Sequence, residues 1–329
     1  MKRLTSGVVL RHLGASLGLA LLSATSLPLN ANAQASLRAE RKIAHESGRA
    51  SMGIARGPGG KLYVLNREDR CVWVFDSNGN SLGRISSAGQ GPADLLEPKD
   101  FAVDRVGNVI VADGSGMIKI FEPGGKLNSA FTFERPQHVG VLSDGRVLIS
   151  GFPTAALIEV FDRSGKRVGQ IGEPIKEDTD PFFNSVLNHG FIVVDEFDYI
   201  YYVFRFRLTP TVRKYSTYGE LIAEWQINSP HLDGLTQRAK AKYVERKSEG
   251  GYGGTPIFNA ASYDSESRTL WLGSGDAILQ IDANGKTTRF HKLQTPDLRP
   301  IPIHGIVVEG STVRVASYLV GVHEVLLPK

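Results

Sequence analysis

The chain has 329 residues, of which 41% are hydrophobic and 22% are charged, and its formal net charge at pH 7 is +4. Residues 1–33 hold three of the 38 Lys and Arg and none of the 34 Asp and Glu, so the rest of the chain carries only +1. A nearly neutral chain lacks the basic surface that nucleic-acid binding needs, and no later apolar run is long enough to span a membrane. The single cysteine, Cys71, excludes an intramolecular disulfide.

The first 33 residues have the pattern of a secretory signal peptide. Lys2, Arg3 and Arg11 are basic, residues 15–29 are apolar, and Ala31-Asn32-Ala33 fits the small-x-small cleavage rule. We therefore predict a signal peptide over residues 1–33, cleavage near Ala33, and a secreted or periplasmic protein. Residues 34–329 would then form one domain.

After this segment the sequence repeats. Short alternating strands flank a polar turn with glycine at one fixed place, and each such hairpin follows another hairpin whose first strand is almost entirely small or apolar. Glycine suits these turns because hairpin turns require positive φ. The turn glycines are Gly79, Gly125, Gly165, Gly219 and Gly285. About six units of four strands predict an all-β fold, a six-bladed β-propeller with four antiparallel strands per blade.

The sixth unit lacks its outer strand. Residues 37–46 form an extra predicted strand near the start of the domain, which can supply the missing one and close the ring. A closed ring makes residues 34–329 a single domain, for which we expect a monomer.

The order of the strands predicts where binding takes place. If strands A to D run outward from the axis, the A–B and C–D turns share one face, and the longer B–C and D–A loops share the other. Two D–A loops are much longer than the rest, those beginning at Gly172 and Asn228, and the second contains a short predicted helix over Leu235–Lys247. Elaborated loops on a rigid scaffold are the usual place for ligand binding.

The second unit resembles the blades of NHL-type six-bladed propellers, and in particular the exported bacterial kind. The residues that carry the resemblance are Gly89, Gly91, Pro92, Leu95, Pro98, Phe101, Val103, Asp104, Gly107, Asn108, Val109, Val111, Ala112 and Asp113. The likeness is weakest in the fourth unit, where Asp198 replaces the turn glycine. It implies a fold but several functions, because such propellers include protein-binding modules, carbohydrate-locus accessory proteins, lactonase-like hydrolases and lyases.

The loop "GQGPAD" is the most glycine-rich candidate for a phosphate site. No Lys-Ser/Thr follows it, it precedes a strand rather than a helix, and Pro92 removes a backbone donor. We predict a structural crossover between the first two blades.

Three histidines suggest a site in the central channel. The resemblance to NHL-like lyases implies metal-binding or catalytic histidines at the start of strand A, where this chain has His138, His189 and His304. Neutral imidazoles there could bind zinc or accept a proton. Counting back from the end of each strand places His304 out of phase with the other two.

The lactonase-like alternative requires Asn and Asp ligands around a divalent cation such as calcium. Asn188, Asn259 and Asp100 lie at the starts of A strands, but no inner glutamate completes the set. Asp104, Asp195 and Asp264 recur at A–B turns, where capping of the turn explains them.

The remaining candidates are polar side chains on the long-loop face. Arg205 and Arg207 alternate with Phe204 and Phe206, a pattern that could bind an anionic or sugar ligand. With the histidines and Asn259 above, the predicted ligand-binding set also contains Arg67, Lys99 and Asp113.

We therefore predict a non-catalytic propeller that binds a protein, peptide or glycan and needs no cofactor. The alternative is a lyase or lactonase-like hydrolase with zinc or calcium in the channel.

Overall fold

A computed structural model describes residues 36–152, 155–251 and 253–328. The predicted signal peptide lies outside the described residues. The described residues begin with two short strands, β1 (Ser36–Arg38) and β2 (Arg41–Ile43). The first three blades follow in chain order as β3 (Ser51–Arg56), β4 (Leu62–Asn66), β5 (Cys71–Phe75), β6 (Ser81–Ile85), β7 (Pro98–Val103), β8 (Val109–Asp113), β9 (Met117–Phe121), β10 (Leu127–Thr132), β11 (His138–Val141), β12 (Val147–Ser150), β13 (Ile158–Phe161) and β14 (Arg167–Ile171).

Two helices lie in the second half of the chain, each just before a blade. Helix α1 (Pro181–Leu187) precedes the fourth blade, and α2 (Pro230–Glu249) precedes the fifth. The strands of the last three blades are β15 (Gly190–Val194), β16 (Ile200–Phe204), β17 (Thr211–Tyr215), β18 (Leu221–Gln226), β19 (Ala260–Asp264), β20 (Thr269–Ser274), β21 (Ala277–Ile281), β22 (Thr287–Gln294), β23 (Gly305–Glu309), β24 (Thr312–Ser317) and β25 (Gly321–Leu326).

The strands form six sheets, each with four antiparallel strands, which confirms the predicted six-bladed propeller. In the first, second and fourth blades, every residue of the second strand is buried; these strands are β4, β8 and β16. Such strands have a neighbouring blade on each face, so a continuous apolar run is favoured over alternation. The fourth strands lie at the rim, and β10 alternates between half-buried and exposed positions.

The tight turns have the backbone geometry that the glycine pattern predicted. Gly165 has φ of 84°, and a Cβ placed on it would lie 2.4 Å from Cβ of Phe131 in the next blade. Asp198, in the fourth blade, adopts φ of 62° without a glycine. Its side chain accepts a hydrogen bond from the Ser143 amide at 2.9 Å, so this turn contacts the third blade directly.

The ring closes as predicted, through an N-terminal strand. β2 pairs antiparallel with β25 and becomes the outer strand of the sixth blade. β1 has a role that the sequence did not indicate, because it pairs parallel with β22 as a fifth strand of the fifth blade. With eight residues β22 is the longest strand in the described chain. β1 pairs with the last three residues of β22, which are Lys292, Leu293 and Gln294.

The two long D–A insertions pack against each other. Lys247 of α2 reaches the buried carboxylate of Asp178 at 2.6 Å, and Phe183 of α1 packs edge-on against Tyr243. Helix α2 is longer than the predicted Leu235–Lys247, since it begins at Pro230 and ends before Gly250, where φ is 67°. No helix in the described ranges has the length and apolar character needed to cross a membrane.

The loop between β6 and β7 is the crossover that its sequence predicted. The Gly91 amide donates to the Asp94 carboxylate at 2.8 Å, and Leu95 is fully buried.

Cys71 is also fully buried, and burial raises the pKa of its thiol to about 12. Both features are therefore structural.

Candidate functional site

A channel of about 800 Å³ runs along the axis of the propeller. The A strands of all six blades line it, because the first strand of each blade lies nearest the axis. Small and apolar side chains, such as Ala102, Val141 and Ala261, form part of its wall. At the short-turn end, Arg56 contacts Glu309. At the long-loop end, which we call the channel mouth, polar side chains come together from several blades.

At the channel mouth, one chain of polar contacts crosses three blades. Nδ1 of His138 lies 3.1 Å from Oδ2 of Asp100, and Nε2 of the same ring lies 3.5 Å from Nη1 of Arg205. Arginine can only donate, so Nε2 is the acceptor and Nδ1 carries the proton that is donated to the Asp100 carboxylate. The backbone amide of Val139 also donates to Asp100, at 3.2 Å. An acid, an imidazole and a guanidinium are thus joined in series.

Burial shifts the pKa of every member of this chain. Burial raises the pKa of Asp100 to about 7, against the opposing effect of backbone hydrogen bonds and Arg205. Burial, with a smaller contribution from Arg205, holds the pKa of His138 well below its ordinary value. Burial also lowers the pKa of Arg205, to about 10. At neutral pH the imidazole is therefore neutral, and Arg205 is the cation of the site.

Aromatic rings surround the guanidinium of Arg205. Its central carbon lies 4.7 Å from the ring centre of Phe191 and 5.1 Å from that of Phe206. Nε of Arg205 is buried and has no hydrogen-bond partner among the described residues. A buried cation is costly unless an anion or strong acceptors compensate it. The side chain of Arg205 lines the channel, so its guanidinium is placed to bind an anion that enters there.

His189 lies behind His138, in an aromatic stack. The two imidazole rings are 5.1 Å apart, and Phe152 and Phe206 stack on His189 at 5.3 and 5.5 Å. His189 is 3% exposed, and burial, followed by the effects of His138 and Arg205, holds its pKa well below the ordinary value. We infer that His189 positions His138, without itself lining the channel.

Three more of the predicted residues line the channel. Lys99, Asn259 and His304 do so from three different blades. Lys99 contacts Glu97, so its charge is compensated. Nδ1 of His304 lies 3.2 Å from the Pro302 carbonyl oxygen and 3.3 Å from the Tyr318 amide nitrogen, so its ring is engaged by neighbouring backbone groups.

Three other predicted binding residues contact neighbouring residues of the protein itself. Asp113 is fully buried and accepts hydrogen bonds from the amides of Leu96 and Glu97 at 2.9 and 2.8 Å, so it holds the crossover in place. Nε of Arg207 donates to Glu177 at 2.6 Å. Arg67 lies 3.7 Å from Glu97 and does not line the channel.

The predicted three-histidine metal site is not assembled. Among the residues that the structure describes, no three His, Cys, Asp or Glu side chains are placed to hold a metal ion. His138 and His189 stack face to face, and His304 is directed elsewhere, as the strand register suggested. Asn188, from the calcium alternative, is 1% exposed and donates to the carbonyls of Ile175 and Asn184.

Asp100 is the residue whose role the sequence analysis missed. It was considered only as a calcium ligand, whereas in the structure it is the partner of His138, 38 residues away. Asp100 and His138 lie near the starts of the A strands of adjacent blades, and this equivalence is the signal that could have paired them. Asp104, Asp195 and Asp264 cap their turns as predicted.

Comparison with known proteins supports the fold. A protein-family model described as a six-bladed beta-propeller matches residues 56–122, and no curated protein sequence matches the chain. Virginiamycin B lyase from Staphylococcus aureus is similar in structure, with a TM-score of 0.55 and 12% identity over 88% of this chain and 98% of that one. The structure of U3-55K is similar with a TM-score of 0.53 and 12% identity over 86% of this chain and 77% of that one. At such identities the likeness concerns the fold alone: the chain is a six-bladed β-propeller.

Proposed function

We propose that this protein is an exported, non-catalytic binding propeller that takes the carboxylate end of a peptide at the channel mouth. The observation that carries the proposal is Arg205, a cation between two phenylalanine rings whose buried Nε has no partner in the described chain. A planar guanidinium matches a carboxylate with two parallel hydrogen bonds. Displacing water from such a site makes each of these bonds stronger.

The shape of the channel favours a chain end as the ligand. Below the mouth the cavity is lined by both apolar and polar groups of the A strands, so an extended segment could enter it, while a broad protein surface could not. The Asn259 and His304 side chains line the same cavity and offer polar groups to a peptide backbone. The packed insertions carrying α1 and α2 stand next to the fourth blade, from which Arg205 comes.

Peptides of the same sequence with a free or an amidated C-terminus test this function. We expect some hexapeptides with a free C-terminal carboxylate to bind, and the same peptides with an amidated C-terminus to bind more weakly. Replacing Arg205 by methionine should weaken binding of the free acids roughly 10- to 100-fold, the effect of losing a charge-assisted hydrogen bond. Isothermal titration calorimetry measures both affinities.

The matched control is Arg167→Met, which removes an exposed arginine from the rim of the third blade. This variant should bind like the unmodified protein. The proposal is wrong if acids and amides bind equally, or if Arg205→Met retains full affinity in a protein whose Tm is unchanged.

A catalytic role is the second candidate, and the Asp100–His138 pair favours it. A neutral imidazole oriented by a carboxylate is the usual form of a general base. One structure of similar fold is a catalytically inactive virginiamycin B lyase with quinupristin, with a TM-score of 0.56 and 11% identity. Conversion of quinupristin by this protein, followed by chromatography and lost in a His138→Ala variant, would support catalysis. Intact quinupristin after prolonged incubation would argue against this reaction.

A further inference from the structure

A second cavity lies between the fourth and fifth blades, on the short-turn face. Its volume is about 190 Å³. Its aromatic walls and apolar floor come from both blades, and the residues are Tyr199, Tyr201, Trp225, Tyr263, Leu270 and Ile281. We call it the blade 4–5 pocket. The ring of Tyr263 stacks on that of Tyr201 at 5.4 Å, so the two blades build one continuous aromatic wall.

A lysine without a carboxylate partner lies inside this aromatic wall. Nζ of Lys214 is 4.1 Å from the ring centre of Tyr199 and 5.1 Å from that of Tyr201. In the described part of the chain, no carboxylate oxygen lies within 4.0 Å of this ammonium group. Contact with two ring faces offsets part of its lost hydration, while no carboxylate of the described chain forms an ion pair with it.

The acidic residues of the pocket are already engaged. Oδ1 of Asp195 accepts hydrogen bonds from the amides of Phe197 and Tyr199, both at 2.9 Å. Oδ1 of Asp282 accepts from two turn amides in the same way. Arg268 lies over the exposed ring of Phe197 at 5.8 Å, which adds a second cation to the rim. These hydrogen bonds hold both carboxylates in their turns, where neither forms an ion pair with Lys214 or Arg268 among the described residues, so a ligand carboxylate can still pair with either cation.

We propose that the blade 4–5 pocket binds one sugar ring that carries a carboxylate, a uronic acid unit. The C–H face of a pyranose ring can stack on the tyrosine and tryptophan rings, as apolar ligand surfaces do in such pockets. The carboxylate would lie near Lys214 and replace the missing counter-charge. Oδ2 of Asp195 already accepts from the Tyr201 hydroxyl at 3.2 Å, whereas Asp282 uses Oδ1 for its turn and can accept from a sugar hydroxyl through Oδ2, a contact that an aryl carboxylate would not make.

Titration with simple sugars tests this site. We expect the purified protein to bind D-glucuronate or D-galacturonate saturably, with glucose and galactose at least about tenfold weaker because they lack the charge. Lys214→Met should weaken uronate binding by a similar factor, whereas Lys214→Arg, which keeps the charge, should retain most of it. Calorimetry and intrinsic tryptophan fluorescence report the binding.

Two controls separate this site from general effects and from the channel. Lys166→Met removes an exposed lysine in a turn of the third blade and should change nothing. Arg205→Met should leave uronate binding intact, because Arg205 lines the channel and not this pocket. The proposal is overturned if neither uronate binds, if Lys214→Met binds as well as the unmodified protein, or if benzoate binds and the uronates do not.

Discussion

Replacing Ile43 by aspartate should lower the thermal stability of the propeller more than any surface change. Ile43 is 3% exposed and packs, in the strand that closes the ring, against the first and sixth blades through Leu62, Val307 and Val322. A carboxylate there would be buried without a partner, at a cost of about 3 to 5 kcal/mol. For a domain of this size we expect Tm to fall by roughly 10 °C. Circular dichroism melting measures the change.

Lys42→Asp is the matched control for this substitution. It introduces the same charge one position earlier in the same strand, where the side chain is half-buried and points to the other side. We expect a Tm within about 2 °C of the unmodified protein, as for most surface changes. Equal melting of Ile43→Asp and the unmodified protein would mean that β2 does not hold the ring closed.

Replacing Asp100 by asparagine should stabilise the protein in a pH-dependent manner. The pKa of Asp100 is raised to about 7 in the folded state, chiefly by burial, whereas in the unfolded chain it is near 4. Its contribution to folding is therefore fully present below about pH 4 and is lost as pH rises through 7. Asparagine carries no charge at any pH, so the variant avoids this loss. At pH 9 the gain should be roughly 4 kcal/mol, and near pH 4 it should vanish.

The buried imidazoles have the opposite effect on the pH dependence of folding stability. The pKa values of His138 and His189 are lowered by burial, so their contribution is present above the unfolded value near 6.5 and is lost as pH falls below it. The unmodified protein should thus be most stable slightly below neutral pH. Denaturant unfolding at several pH values measures both effects. A difference between Asp100→Asn and the unmodified protein that stays constant from pH 4 to pH 9 would contradict the assignment.

The resemblance to exported NHL-type propellers remains a prediction beyond the six-bladed fold itself. The family model covers residues 56–122, which correspond to much of the first two blades, where the sequence pattern is also clearest. The other four blades have the same four-stranded architecture, although their sequences follow the repeat pattern less closely. In the A–B turns of the fourth and fifth blades Asp198 and Arg268 adopt the positive φ that glycine adopts in the other blades, and Asp198 also accepts a hydrogen bond from Ser143.

Sequence patterns were reliable wherever the cause is local. Positive φ at a turn, an apolar strand with a blade on each face, and a missing outer strand each leave a mark on a few neighbouring residues. The same reasoning could not find β1, because its partner β22 is distant in sequence and the pairing depends on the length of that strand. It also could not show that Arg67, Asp113 and Arg207 contact other residues of the protein, because loop position does not reveal the partners of a polar side chain.

The sequence by itself determined the six-bladed propeller, its closure by an N-terminal strand, and the face on which the long insertions lie. Only the tertiary structure decided that Asp100, His138 and Arg205 form one chain of contacts and that His304 stands apart from it. The physical reason is that Arg205 lies 67 residues beyond His138 and reaches it only after the blades pack around the axis. Burial at that point makes the imidazole neutral and leaves the guanidinium as the charge that a ligand would meet.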